Sequence, residues 1–124
     1  MWPYTPRHDA ADAAKFGITT PYIGEAYQAA TNYIRVYWSA ANEITLAFND
    51  TGGAHTQAWD CTGLIAAGTE YDFEVRYSGA QMTLRVDNAI MATISTSIMF
   101  STVMTTFYGG GKQDGTLQAD AVFG

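Results

Sequence analysis

Cysteine is nearly missing from this chain: Cys61 stands alone, so no intramolecular disulfide can form and no zinc-ligand spacing exists. Basic residues are scarce too. Six Lys and Arg face twelve Asp and Glu, for a net charge of -6, and no basic cluster occurs anywhere, which excludes nucleic acid and anionic membrane surfaces as natural partners. No run of about twenty apolar residues is present to span a membrane. The N-terminal MWPYTPRHDAADAAK also lacks the basic-then-apolar order of a secretory signal. Proline is confined to Pro3, Pro6 and Pro21, and neither an internal repeat nor a low-complexity tract is visible.

What is present describes one folded domain. Of 124 residues 48% are apolar, 14% aromatic and only 15% charged, a composition that supports a single core and argues against disorder. Residues 1 to 30 hold all the prolines and the Ala-rich DAADAAKFG. Asp9 can cap a helix of two turns, with Asp12 in its first turn and Gly17 beyond its end. This stretch is expected to be an N-terminal extension or linker remnant, and residues 31 to 124 the β domain.

From Thr31 the signals are β. Tyr33, Arg35 and Tyr37 alternate with Ile34, Val36 and Trp38, and Ile44, Leu46 and Phe48 share one parity. The loop NDTGGAH interrupts the pattern before a short strand around Trp59. In YDFEVRYSGAQMTLRVDN, Tyr71, Phe73, Val75 and Tyr77 oppose Asp72, Glu74 and Arg76, and Met82, Leu84 and Val86 oppose Thr83 and Arg85. Those charges are expected to be the wet side of a sheet. Asp87-Asn88 reads as a tight turn, AIMATI returns, VMTTFY forms another strand, GGGKQDG is a Gly-rich loop, and TLQADAVF closes. Seven or eight strands without a strong helix predict an antiparallel β-sandwich.

The succession GTEYDFEVRYSGAQMTLRVDNAIMAT, followed by FYGGGKQDGTLQADAVF, resembles the hairpins of the concanavalin A-like, laminin G-like jelly rolls. In that superfamily a strand opening on an aromatic residue leads through a Gly-containing turn to a strand ending in V-D-G; here Asn88 replaces that Gly, and Asn tolerates the positive backbone angles required. The resemblance covers roughly residues 31 to 124. It implies a jelly roll and a setting outside the cell or on a virion surface, since similar domains sit at phage tail-fibre tips and in secreted glycan-binding proteins. Such jelly rolls usually contribute more strands upstream of Tyr33, and residues 1 to 30 do not obviously supply them.

No hydrolase pattern is present, so the chain reads as non-catalytic. The E-x-D-x-x-E strand of glucanase-type members is absent, and Asp72 and Glu74 lie in a strand where solvation explains them. Cys61 and His55 are six residues apart with no supporting motif. No cofactor is implied. Calcium has no D-x-D-x-D-G loop, although Asp50, Asp60 and Asp114 beside Gly-rich backbone are candidate oxygen ligands. Asn49-Asp50-Thr51 matches the glycosylation sequon, a pattern frequent by chance.

Two functions follow. The first is lectin-like recognition of a glycan or cell-surface polysaccharide, at the loop rim or on a sheet face, because sugar ring faces stack on aromatics while hydroxyls need donors and acceptors. The rim candidates are Asn49, Asp50, His55 and Trp59 in one loop region, with Tyr108, Lys112, Gln113 and Asp114 in the other. The second is a structural homo-oligomer module of a virion or extracellular assembly, with Tyr33, Tyr37, Met91, Met99 and Met104 at subunit contacts.

Overall fold

The computed structural model describes residues 2–6, 22–101, 107–109 and 121–123. Their strands are β1 (Trp2–Pro6), β2 (Tyr22–Ala29), β3 (Asn32–Ala40), β4 (Glu43–Asp50), β5 (Gly53–Asp60), β6 (Tyr71–Tyr77), β7 (Gln81–Val86), β8 (Ala89–Ser95), β9 (Phe107–Gly109) and β10 (Ala121–Phe123). They form two five-stranded sheets, ordered β10-β1-β6-β7-β8 and β5-β4-β3-β2-β9, with every pairing antiparallel. The expected all-β sandwich is therefore the fold.

The alternations in the sequence choose the inner faces. From one sheet Ile34, Val36, Trp38, Ile44, Leu46 and Phe48 enter the core, and from the other Tyr4, Phe73, Met82, Leu84 and Val86. Trp38 Nε1 donates to the Tyr4 hydroxyl at 3.0 Å, a buried hydrogen bond from one sheet to the other. On the opposite parity of β6, Asp72 and Arg76 are exposed and Glu74 is half-buried, with Arg76 Nε 2.5 Å and Arg85 Nε 3.9 Å from its Oε1. Turn chemistry fixes register: Asn42, Asp87 and Asn88 carry φ of 71°, 51° and 67°, the left-handed region that Asn and Asp enter at low cost.

The boundary expected at residue 31 is corrected. Trp2–Pro6 lies between β10 and β6, and Tyr22–Ala29 lies between β3 and β9, so both are integral strands and supply the upstream strands the sequence did not reveal. The physical reasons are legible afterwards. Pro3 and Pro6 sit in β1, where a strand with neighbours on both sides is least expected to hold proline. In β2, register shifts at Tyr22/Gly24 and Tyr27/Ala29 break the period of two and let both Ile23 and Gly24 be buried. The short helix read over Asp9 to Gly17 lies outside the described residues.

Candidate functional site

The first Gly-rich segment is not a loop. β4 runs to Asp50 and β5 starts at Gly53, paired without interruption from Glu43↔Asp60 to Asp50↔Gly53, so only Thr51 and Gly52 turn the chain. Gly53 takes a φ of 104°, which a side chain would resist, and that is why glycine closes this hairpin. Asp50 is buried and holds the turn: its Oδ1 accepts from Gly52 N at 2.9 Å, and its Oδ2 accepts from Met99 N at 2.9 Å. Thr51 N donates in turn to the Met99 carbonyl at 3.1 Å. The Asp50 carboxylate thus staples the segment after β8 to the β4–β5 hairpin.

Burial alone pushes the Asp50 pKa up, but the two backbone donors and neighbouring His55 outweigh it and hold it below the ordinary carboxylate value. A depressed folded value means that this stabilisation is complete above about pH 4, the unfolded carboxylate range, and is lost as pH falls through the folded value. Asp50→Asn offers one oxygen where two N–H groups point, leaving one donor facing an NH2. It is expected to cost about 1–3 kcal/mol at neutral pH and to flatten the fall in melting temperature on acidification, which thermal scans from pH 7 to pH 3 will read. An equally steep fall in the variant would show that Asp50 is not the acid-sensitive clip.

The other candidates separate. Trp59 is a core residue, a correction to its reading as a ligand platform, because its parity in β5 faces the opposite sheet. His55 stacks on Phe48 with ring centroids 4.6 Å apart, its Nε2 3.4 Å from Asp50 Oδ1. Asn49 is half-buried in β4, between Tyr33 and Ala54. Tyr108 is in β9 opposite Glu25. Lys112, Gln113, Asp114 and Met104 lie outside the described residues. β5 and β9 are opposite edges of their sheet, four strand spacings or roughly 19 Å apart. β9 also runs toward the Tyr22 end, so Gly109 stands at one end of the sheet and the 50–53 hairpin at the Tyr27 end. Asp50 and Asp60 terminate opposite ends of the β4–β5 ladder, roughly 23 Å apart, too far to share a calcium ion. Cys61 is in the core, where burial pushes its thiol up to about 11, away from the reactive thiolate.

A different group gathers on the outer face of sheet β5-β4-β3-β2-β9. Tyr33, Arg35 and Tyr37 project from β3 on the parity opposite the core and are half-buried. Arg35 Nε donates to Glu25 Oε2 across the β2–β3 pair, and its guanidinium carbon lies 3.6 Å from the Tyr33 ring centroid and 5.6 Å from that of Tyr22. Tyr22 stacks on Tyr37 at 5.4 Å and 25°. Burial raises both the Tyr22 and Tyr37 pKa values, so these phenols stay neutral donors and acceptors. Beside them Thr45 donates to Ser39 Oγ at 2.6 Å, and Ser39 donates to Glu43 Oε1 at 2.6 Å. Three flat rings, a guanidinium, two carboxylates and two hydroxyls therefore share one face. The signal was in the sequence, as aromatic residues on the non-core parity of β3; Tyr22 and Glu25 were hidden by the irregular period of β2.

No protein-family model and no curated protein matches the chain by sequence. Its fold is similar to the solved structure of the mouse laminin alpha1 chain, domains LG4-5, with a TM-score of 0.66 at 13% identity, covering 98% of this chain and 31% of that one. The chain thus spans about a third of that protein's solved length, and what the two share is the laminin G-like jelly-roll fold.

Proposed function

We propose that this chain is a non-catalytic recognition module that binds carbohydrate on the outer face of sheet β5-β4-β3-β2-β9, in an extracellular or virion-surface setting. One observation carries the reading: Tyr33 and Tyr37 are half-buried on a solvent-side parity, Tyr33 held by Arg35 and Tyr37 by stacking on the buried Tyr22, instead of being spent on the core. Rigid rings with fixed donors and acceptors beside them are what a sugar needs, since its C–H-rich face stacks and its hydroxyls hydrogen-bond. A sheet positions such groups better than a loop does.

A panel of bacterial and host glycans, titrated against the wild type, Tyr37→Ala and the Lys112→Ala, Asp114→Ala double variant, tests this. Tyr37→Ala is expected to weaken binding roughly tenfold or more, as loss of one stacked ring should, while the double variant binds like wild type. The reverse pattern would move the site to the Gly109–Gly115 stretch. Binding to no glycan would favour the assembly role.

A further inference from the structure

A separate region of the same sheet carries an inference independent of the glycan reading. β5 is an edge strand, paired with β4 on one side and with nothing on the other among the described residues. Soluble proteins blunt such edges with Lys, Pro, a bulge or a very short strand. GAHTQAWD has none of these: it runs for eight residues without Lys, Arg or Pro, and its ladder to β4 has no register shift. Ala54, Thr56, Gln57, Ala58 and Asp60 are all exposed. Apart from the Gln57 side chain, which donates to the Ala58 carbonyl at 3.2 Å, no hydrogen bond from outside β4 reaches the backbone of residues 54 to 59 among the described residues. β8, the edge of the other sheet on this flank, differs: a register shift against β7 at Leu84/Arg85 disturbs it.

We propose that β5 pairs antiparallel with β5 of a second copy, about a two-fold axis at Gln57, joining two five-stranded sheets into one. The charge pattern selects a second copy as the occupant. Each molecule carries a net charge of -6, so two copies meet only where the contact itself is neutral. About Gln57, Thr56 falls opposite Ala58, His55 opposite Trp59, and Asp60 opposite Ala54, with Gln57 amide against Gln57 amide. No like charges face each other. The two Asp60 side chains stand at opposite ends of the ladder, roughly 20 Å apart, well beyond the screening length of about 8 Å at physiological salt. Asp60 is also engaged by Thr62, whose N donates at 3.0 Å and Oγ1 at 2.6 Å. A two-fold perpendicular to the sheet keeps residues of one parity on one side, so the outer faces of both copies look the same way and a polyvalent surface is met twice.

Sedimentation and native mass measurements on the wild type, Gln57→Lys, Gln57→Glu and an equimolar mixture of the two variants decide it. Wild type is expected to dimerise. Each variant places like charges directly opposite at the axis and is expected to raise the dissociation constant roughly tenfold, while the mixture recovers a heterodimer. Thermal melts of the exposed-site variants report that the fold is intact. A wild type that stays monomeric at every concentration, a dimer indifferent to both substitutions, or a mixture that fails to recover would each overturn the pairing. Glycan affinity of the Gln57→Lys monomer, measured per site, is expected to match wild type, so failure of the dimer and failure of the glycan reading are distinguishable.

Discussion

Phe73→Ala is expected to lose about 3–5 kcal/mol of stability, enough to consume much of the margin of a domain this size, whereas Ser at Asp72, Glu74 and Arg76 together should cost no more than about 1 kcal/mol. The contrast lies within one strand. Phe73 has no exposed surface, meets Tyr4 edge-on at 5.3 Å and Trp2 at 5.9 Å, and belongs to the core cluster between the sheets. Truncating it would leave a void against the Tyr4 and Trp2 rings, which close packing keeps from collapsing to fill it. The charged trio loses only the Glu74 ion pairs, which are partly solvated. Urea unfolding will measure both, and on melting the Phe73 variant should fall by roughly 10–30 °C. Similar losses in the two proteins would mean that the parity of β6 does not decide which face is core.

That parity was readable because β3 and β6 each bury a single face, and hydrophobic alternation is the direct imprint of one-sided burial. The turn at Asp87-Asn88 was equally legible, since few residue pairs enter the left-handed region. Where burial is two-sided the imprint vanishes. Thr45 and Ala47 are buried on the outer side of β4 and Glu25 on that of β2, so neither strand alternates cleanly, and β2 passed for a linker. NDTGGAH misled for another reason. Paired glycines and an Asp are what a long loop and a two-residue hairpin both require, and only the ladder to β5 tells them apart. The candidate site was half visible for the same cause: Tyr33, Arg35 and Tyr37 come from the regular strand and their partners from the irregular one.

Replacing Arg35 with methionine is expected to destabilise the domain by about 3–5 kcal/mol, although Arg35 is only half-buried and lies on an outer face. The cost arises at Glu25. Its side chain has no exposed surface and its carboxylate accepts from Arg35 Nε, so removing that cation strips a buried charge of its partner on β3. Breaking such a pair costs more than the pair itself contributes, because desolvation has already been incurred by the remaining partner. The double variant Glu25→Met, Arg35→Met is therefore expected to regain most of the loss, to within about 1 kcal/mol of wild type. Arg35→Lys separates charge from shape: an ammonium retains a counter-charge for Glu25, yet it lacks the planar fork that lies 3.6 Å over the Tyr33 ring. Its stability should fall between wild type and Arg35→Met, and its glycan binding should drop further than its stability, because Tyr33 loses the plate that fixes its ring. Urea midpoints for the four proteins, set beside their glycan titrations, give the answer. An Arg35→Met variant within about 1 kcal/mol of wild type would show that the Glu25–Arg35 pair is not what holds the aromatic face in place.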